Sequence, residues 1–300
     1  MKPYKYQIIA FLAFFIWGFF SLALKPIAHE SSFDILFFRI LISAGIITAI
    51  AATVKKDTIK KSVQQYKLLP KEDKRKALNI NLLGGGILGV NWFLYIFVIN
   101  QINVQTASYA YLICPIITSF LSFFILKERM DKVQWLAISM CLFAIGLYYI
   151  AAPGDLFWAV IVALTYSFYL ISQKKNTYFD KFSTLVFQLF VVLTLAIPYY
   201  LVKGFSFPTD ALFYLCVFIV ATLFTIIPLY MNLYALQGAN ASTIGIMLYI
   251  NPVIAFSLSI FYFGETINYL QIVAYLIILC SIVIFNHKIL FSKKMKTIRA

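Results

Sequence analysis

The chain has 300 residues, of which 62% are hydrophobic and only 12% are charged. This composition excludes an ordinary soluble domain, which needs charged side chains to face water. The formal net charge of +14 suggests a polyanionic partner, but the basic residues lie at the edges of apolar runs rather than on one folded face, so we expect no nucleic-acid partner.

Ten apolar runs follow one another along the chain, and each has about the length that a helix needs to cross ~30 Å of hydrocarbon. The runs are continuous rather than alternating in polarity, which disfavours a β-barrel. We therefore predict an all-α integral membrane protein with ten transmembrane helices. The predicted spans are residues 6–27, 33–54, 80–99, 105–126, 133–151, 155–173, 183–202, 211–235, 241–263 and 268–287.

The basic residues are distributed unevenly between the two sides of these spans. Of the 25 Lys and Arg residues, 22 lie in the segments that share one side, which are 1–5, 55–79, 127–132, 174–182 and 288–300. Cytoplasmic segments carry such an excess, so we expect both termini in the cytoplasm. The longest of these loops, 55–79, is equally consistent with a helix on the anionic inner surface and with a solvated linker.

The two halves of the chain repeat each other. A shift of 137 residues superimposes identical residue types, namely Asn103 on Asn240, Thr106 on Thr243, Pro115 on Pro252, Ser122 on Ser259, Glu128 on Glu265 and Gln134 on Gln271. A shift of 149 relates the first parts of the halves. Each half has five spans, an odd number, so the second half enters the membrane from the opposite side. We predict two inverted five-helix repeats, 1–151 and 152–287, around a central cavity, followed by a basic cytoplasmic tail, 288–300.

Arg39 lies about six residues inside the second predicted span. A buried guanidinium costs at least a few kcal/mol unless it is paired or hydrated, so Arg39 should face a cavity or a partner. Its forked donors suit a carboxylate or another anionic group of a substrate. The alternative is a structural tether, which reaches towards the membrane surface or pairs with Asp34.

Polar and aromatic residues within the spans are candidates for the wall of a substrate cavity. They are Trp17, Asn91, Trp92, Tyr95, Tyr111, Tyr166, Gln188, Tyr230, Asn232, Tyr249 and Asn251. Pro115 and Pro252 each remove a backbone donor in symmetry-related spans, so we predict that they are hinges. Packing between helices is the alternative role for each of these positions, because polar and aromatic residues also hold transmembrane helices together or face lipid.

None of the eleven acidic residues lies near the middle of a span, so a deep proton relay is not visible and proton coupling stays open. Glu128 and Glu265 end symmetry-related spans on opposite sides of the membrane. They are interpreted either as gate-closing ion-pair partners or as plain boundary residues. The four cysteines lie singly in apolar runs and the two histidines lie in a loop and at a span end, so we expect no metal site and no cofactor.

Short motifs occur in order along nearly the whole chain. They are FFIWGFF (14–20), DILFFR (34–39), NWFLYIFVIN (91–100), ASYAYLICP (107–115), KER (127–129), VQWLAI (133–138), TIIPLYMNLYAL (225–236), YINP (249–252) and GE (264–265). These motifs resemble the drug/metabolite transporter superfamily with EamA repeats, and within it the RarD-type branch.

The resemblance implies a ten-helix bundle around a central cavity, alternating access, and small metabolites such as amino acids or related compounds as substrates. Arg39, Trp17, Asn91, Trp92, Tyr249 and Pro252 match the positions that the family pattern places at the cavity. The chain departs from that pattern at Phe38, where the family has His, and at Cys114, where the family has Asn before the proline.

We therefore predict a secondary transporter of the bacterial inner membrane, a permease or exporter of small polar metabolites, and not an enzyme. An uncoupled small-solute channel is the alternative, and it would keep a continuous polar stripe, whereas the polar residues here gather around the prolines. A membrane-embedded enzyme would need paired catalytic groups within the spans. A ten-helix bundle encloses its own pathway, so a monomer suffices, while the GxxxG motif of Gly85 and Gly89 leaves a homodimer open.

Overall fold

The computed structural model of the protein describes residues 5–127, 129–204, 207–235 and 247–287. Within these ranges the regular structure is helical throughout. The α-helices are α1 (Lys5–Gly18), α2 (Phe20–Leu24), α3 (Ser32–Ala52), α4 (Lys56–Leu68), α5 (Lys71–Phe97), α6 (Val104–Ile125), α7 (Lys132–Ala151), α8 (Pro153–Lys175), α9 (Lys181–Lys203), α10 (Ala211–Ala221), α11 (Ile227–Ala235), α12 (Ile250–Phe261) and α13 (Tyr269–Phe285). Two π-helical turns, Val98–Ile102 and Thr222–Ile226, extend α5 and join α10 to α11.

Eight helical stretches in the described ranges are long and apolar enough to cross a membrane. They are Lys5–Ile27, Ser32–Ala52, Lys71–Ile102, Val104–Ile125, Lys132–Ala151, Pro153–Lys175, Lys181–Val202 and Ala211–Asn232. They correspond to the first eight predicted spans, except that the third begins well before residue 80. Two shorter apolar helices, α12 and α13, follow. The prediction of an all-helical membrane protein is confirmed, while the count of ten transmembrane helices stays a prediction.

Side-chain caps mark where several of these helices begin. Asp131 and Asn268 each form a capping box, with Gln134 and Gln271 as the reciprocal partners at the start of α7 and α13. A capping box satisfies two backbone donors that the first helical turn leaves unpaired. The two boxes are related by the shift of 137 residues, so the repeat in the sequence corresponds to a repeated local structure.

The polar loop 55–79 forms α4 and the first part of α5, in agreement with the helical alternative. Ser62 on α4 donates a hydrogen bond of 2.6 Å to Asp180, whose carboxylate also caps the first turn of α9. Burial alone would raise the pKa of the Asp180 carboxyl, but hydrogen bonds from the side chains of Ser183 and Ser62 and from two backbone N–H groups hold that pKa below its ordinary value of 3.8. Asp180 therefore connects α4 to the first turn of the membrane helix α9.

The helices pack in pairs that follow the repeat. Helix α1 packs against α11 and α12, and α8, its repeat mate, packs against α5 and α6. Three pairs of repeat mates also pack against each other: α3 with α9, α6 with α12, and α7 with α13. The interior of the bundle is therefore built from both halves of the chain.

The glycines of α5 allow one close helix contact. A Cβ atom at Gly85 would lie 2.9 Å from Val191, and one at Gly89 would lie 3.1 Å from Val192, both on α9. Small residues at this spacing let two backbones approach closely. The GxxxG motif is thus used inside a single chain, where it packs α5 against α9.

Candidate functional site: an aromatic cavity around Arg39

A cavity of about 500 Å³ lies between the helices, and both halves of the chain contribute to its wall. We call it the aromatic cavity, because eight of the side chains that line it are Trp, Tyr or Phe. Its lining residues are Trp17, Phe20, Arg39, Leu88, Trp92, Tyr95, Tyr111, Cys114, Pro115, Thr118, Ser119, Tyr166, Tyr169, Leu170, Gln173, Leu185, Phe224, Thr225, Leu229, Asn232, Leu248 and Asn251. Its size suits a small organic solute.

Arg39 is 5% exposed and lies in the wall of this cavity. Its Nε donates a hydrogen bond of 2.9 Å to the Thr225 hydroxyl, and its Cζ lies 4.7 Å from the ring centre of Trp92 and 5.1 Å from that of Phe20. Among the described residues, its two terminal nitrogens have no hydrogen-bond partner and no carboxylate pairs with it. Asp34, the alternative partner, accepts a hydrogen bond from the Tyr200 hydroxyl. Within the part of the chain that the structure describes, the cavity therefore contains a buried cation without a counter-charge.

The π-helical turn Thr222–Ile226 positions the residues that hold this arginine and its neighbour Trp17. The Thr225 hydroxyl donates 2.8 Å to the Val220 carbonyl, five residues back, while it accepts from Arg39. Pro228 has no N–H, so the Phe224 carbonyl four residues earlier lacks its helical donor. The indole N–H of Trp17 donates to that carbonyl at 2.8 Å. One irregular turn thus anchors two cavity side chains from the other half of the chain.

A row of tyrosines forms one wall of the cavity. The ring centres of Tyr95 and Tyr111 are 4.7 Å apart, those of Tyr111 and Tyr166 are 5.2 Å apart, and those of Tyr166 and Tyr169 are 5.8 Å apart. Asn91 lies behind this row, fully buried, and its Oδ1 accepts from the Tyr111 hydroxyl at 3.2 Å. The first two contacts are edge-to-face, with interplanar angles of 83° and 72°, and the third is stacked at 28°. Such contacts hold aromatic rings in defined orientations, so this wall presents ring faces and ring edges in turn.

Neutral polar groups complete the lining. The side-chain oxygens of Asn232 and Asn251 are buried without a hydrogen-bond partner in the part of the chain that the structure describes. Thr118 and Ser119 donate to carbonyls one turn back on α6, those of Cys114 and Pro115. These groups suit hydrogen bonds to a polar but uncharged part of a solute.

Most of the predicted site residues line this cavity together. Of the predicted wall residues and hinges, those in the lining are Trp17, Arg39, Trp92, Tyr95, Tyr111, Pro115, Tyr166, Asn232 and Asn251. Whether they bind a solute stays a prediction.

Five predicted residues do not line the cavity. Asn91 and Gln188 are fully buried behind it, and Gln188 accepts from the Tyr169 hydroxyl at 3.3 Å. Tyr230 is 41% exposed, and its ring centre lies 5.9 Å from the Lys55 ammonium. It is not part of the cavity wall because it is about 200° around the helix from Asn232.

Tyr249 and Pro252 are buried but lie outside the lining. Pro252 lies in the first turn of α12, where a proline interrupts no intrahelical hydrogen bond of that helix. Pro115, by contrast, lies within the continuous helix α6. The two prolines were expected to be equivalent, and they differ because α12 begins just before Pro252.

Several lining residues were not predicted from the sequence, among them Phe20, Tyr169, Gln173 and Thr225. Tyr169 and Gln173 follow Tyr166 at intervals of three and seven residues, so helical periodicity along α8 was the available signal. The position of Thr225 depends on the π-helical turn, which the apolar run around it does not reveal.

A second polar cavity, of about 400 Å³, lies around Glu265. The Glu265 carboxylate accepts from the backbone N–H groups of Val104 and Gln105 at 2.8 and 2.9 Å, at the start of α6, and lies 3.6 Å from the Lys25 ammonium. A helix N-terminus favours such a negative charge. We call these four residues the Glu265 cluster, and it joins the two halves of the chain. Glu128, the symmetry-related gate candidate, lies outside the described residues.

These features define a class of protein: a multi-pass membrane protein whose helices enclose a cavity for a small solute. The comparisons with known proteins agree. The model of the EamA-like transporter family matches residues 5–150 and again 154–287. The chain therefore belongs to the EamA-like transporter family, within the drug/metabolite transporter superfamily.

Named relatives refine this result. Protein RarD of Salmonella typhimurium is 28% identical over 298 residues, which cover 96% of this chain and 97% of RarD. RarD of Escherichia coli is 24% identical over 96% of this chain and 95% of its own length, and the uncharacterized transporter YojE of Bacillus subtilis is 26% identical over 87% and 86%. One solved crystal structure aligns over 95% of this chain and 98% of its own with a TM-score of 0.63 at 15% identity, which shows a shared fold. The predicted resemblance to RarD-type proteins is confirmed, as is the prediction of a transporter rather than an enzyme.

Proposed function

We propose that this protein is a secondary transporter that moves small polar metabolites, such as amino acids or related organic compounds, across the bacterial inner membrane by alternating access. The observation that carries the proposal is Arg39, a buried guanidinium in the wall of a 500 Å³ cavity, for which the described residues provide no counter-ion. A charge in this position is costly unless a ligand offsets the cost during the transport cycle. The carboxylate of the substrate is the group that Arg39 would bind.

We propose further that ten transmembrane helices form two inverted repeats, 1–151 and 152–287, with the tail 288–300 in the cytoplasm beside the N-terminus. The swapped contacts of α1 and α8 and the paired capping boxes support the repeat. The excess of Lys and Arg in the segments assigned to the cytoplasm supports the orientation. One chain encloses the aromatic cavity, so a monomer suffices for transport, and a homodimer would need a surface other than the glycines of α5.

The Glu265 cluster is the proposed gate at the outer end of the pathway. Its carboxylate bridges the start of α6 and Lys25, so the two repeats are tied together there. Glu128 would act in the same way at the inner end in the opposite state, and Pro115 would be the hinge of α6. Exchange of the two repeats' conformations would then open one end as the other closes.

Transport is tested by uptake into proteoliposomes of labelled amino acids and organic acids by the wild type and by Arg39→Ala. We expect saturable uptake by the wild type and a loss of at least about tenfold in the variant, because a hydrogen-bonded charge pair contributes about 1.5–3 kcal/mol. Arg75→Ala is the matched control, since Arg75 is exposed on α5 and should leave uptake unchanged. Arg39→Lys keeps the charge and separates loss of binding from loss of folding.

The same experiment discriminates between the candidate functions. Uptake that does not saturate would favour an uncoupled small-solute channel, and uptake by the Arg39→Ala variant at the wild-type rate would reduce Arg39 to a structural role. A pH gradient that accelerates uptake would establish proton coupling. No flux of any compound, from protein whose unfolding temperature is normal, would contradict the proposed transport.

A further inference from the structure

We infer that the aromatic cavity selects organic monoanions with a flat apolar body, compounds whose single charge is a carboxylate, over zwitterions of the same shape. This inference rests on the proposed function and narrows its substrate class. It depends on three properties of the cavity: its charge, the available edge of Arg39, and the shape of its walls.

The first property is the balance of charge. Among the described residues that line the cavity, Arg39 carries the only formal charge, and the remaining polar groups are hydroxyls, carboxamides, indole N–H groups and a thiol. The segment that precedes Met247, residues 236–246, reads LQGANASTIGI and contains no ionisable side chain. Asp34, on the same helix as Arg39, is hydrogen-bonded to Tyr200 and is not part of the lining. A solute that brings one negative charge would make the site neutral.

The second property is the part of Arg39 that is still available. The ring of Trp92 lies 4.7 Å from the guanidinium carbon and that of Phe20 lies 5.1 Å away, and Nε is bonded to Thr225. Nη1 and Nη2 remain without a partner in the described structure. Two neighbouring N–H donors in one plane match the two oxygens of a carboxylate.

The third property is the apolar wall beside this edge. Tyr95, Tyr111 and Tyr166 follow one another with ring centres 4.7 and 5.2 Å apart, and the hydroxyl of Tyr111 is bonded to Asn91. The interplanar angles of 83° and 72° present ring faces and ring edges in turn, and both pack well against an aromatic group of a solute. The solute's body therefore has an apolar surface to cover, and Asn232 and Asn251 can bond a neutral substituent on it.

An α-amino acid fits this arrangement poorly. Its ammonium is two bonds from its carboxylate, so a carboxylate held by Arg39 would place the ammonium within a few ångströms of the guanidinium. Like charges at that distance repel, and the described lining supplies no carboxylate to offset the repulsion or the loss of hydration. Removal of the amino group from the solute should therefore increase its affinity.

The test is a matched ligand series on purified full-length protein in lipid nanodiscs, with binding measured by calorimetry and by the fluorescence of Trp92 and Trp17. The probes are L-phenylalanine and three compounds related to it. 3-Phenylpropionate lacks the ammonium, 2-phenylethylamine lacks the carboxylate, and propionate lacks both the ammonium and the ring. We expect 3-phenylpropionate to bind at least about tenfold more tightly than L-phenylalanine and than propionate, with 2-phenylethylamine weakest.

Variants assign the effect to Arg39. Arg39→Gln should remove the preference for 3-phenylpropionate over 2-phenylethylamine, Arg39→Lys should retain part of it, and Arg75→Gln on the exposed surface should leave it unchanged.

The outcomes separate this inference from the proposed function. L-phenylalanine binding as tightly as 3-phenylpropionate would overturn the inference and leave an amino-acid transporter. Tight binding of 3-phenylpropionate without any uptake into proteoliposomes would keep the inference and contradict transport. Absence of 3-phenylpropionate binding to protein with a normal unfolding temperature would overturn the inference.

Discussion

Arg39 illustrates what individual residues contribute to this protein. A buried guanidinium is stabilised here by one hydrogen bond, to Thr225, and by the faces of Trp92 and Phe20. Cation–π contacts of desolvated groups contribute about 2 kcal/mol, which offsets only part of the cost of burial. The proposed binding of an anionic solute would offset the remaining cost.

At this scale we predict the effect of Thr225→Val, which removes the hydroxyl that accepts from Arg39 and keeps the shape of the side chain. The free energy of unfolding should fall by about 1.5–3 kcal/mol, the usual contribution of a hydrogen bond to a charged group. The substrate KM should rise, because the guanidinium loses its anchor. Thermal unfolding in detergent and uptake kinetics measure the two effects.

Thr222→Val is the control for this prediction. Thr222 lies in the same π-helical turn, but its hydroxyl donates 2.7 Å to the Phe218 carbonyl on the exposed side. A KM that rises equally in both variants would mean that the π-helical turn as a whole, and not the hydrogen bond between Thr225 and Arg39, determines the KM.

Among the elements, α6 combines a continuous helix with an internal proline. Pro115 lines the aromatic cavity and leaves the Tyr111 carbonyl without its helical donor, so α6 is weakest beside the cavity. Its repeat mate α12 begins next to Pro252 instead. The two halves therefore share a sequence pattern but differ in the local conformation at these prolines.

We predict that Pro115→Ala slows transport severalfold while KM stays nearly constant. The new N–H can bond the Tyr111 carbonyl, which stabilises the helix by about 1 kcal/mol and resists bending. Uptake rates at saturating substrate, together with the unfolding temperature, test this. Pro198→Ala is the matched control, because Pro198 also lies inside a long helix, α9, but is exposed and outside the cavity. An unchanged rate in a stabilised Pro115→Ala protein would show that α6 does not bend during transport.

At the scale of the whole molecule, the Glu265 cluster is one of the places where polar contacts join the two halves of the chain, and it lies at one end of the bundle. Glu265 belongs to the second half, while Lys25, Val104 and Gln105 belong to the first. A carboxylate at a helix N-terminus with an ammonium nearby is a strong but separable contact. It can therefore hold one end of the pathway closed and still release it.

We predict that Glu265→Gln opens this end. In a background with Cys141, Cys216 and Cys280 replaced by Ala, the remaining thiol is Cys114, which is buried and lines the aromatic cavity. The rate at which a hydrophilic thiol reagent labels Cys114 should rise by about tenfold. The reason is that Glu265→Gln removes the charge that accepts hydrogen bonds from Val104 and Gln105, which weakens the contact that closes this end. Glu30→Gln is the control, since Glu30 contacts His29 and not α6 in the described structure. Equal labelling rates in both variants and the wild type would remove Glu265 as a gate.

The sequence alone determined the membrane class, the first eight spans and the repeat, because these depend on local composition and on residue spacing. An apolar run of membrane length has few alternatives to a helix, since every backbone polar group must be satisfied in lipid. The sequence also indicated Arg39, because an ionised group inside an apolar run is conspicuous. The resemblance to the EamA repeats was accessible for the same reason, since short motifs survive in order along the chain.

Only the tertiary structure decided which side chains face the cavity. Tyr230 and Asn232 are both polar residues of one helix, yet about 200° of rotation places one on the outer surface and the other in the cavity wall. The partner of Arg39 is Thr225, 186 residues away, and it is brought there by a π-helical turn beside Pro228. Such contacts depend on how helices from distant parts of the chain are rotated and bulged against each other, and no local pattern in the sequence encodes that relation.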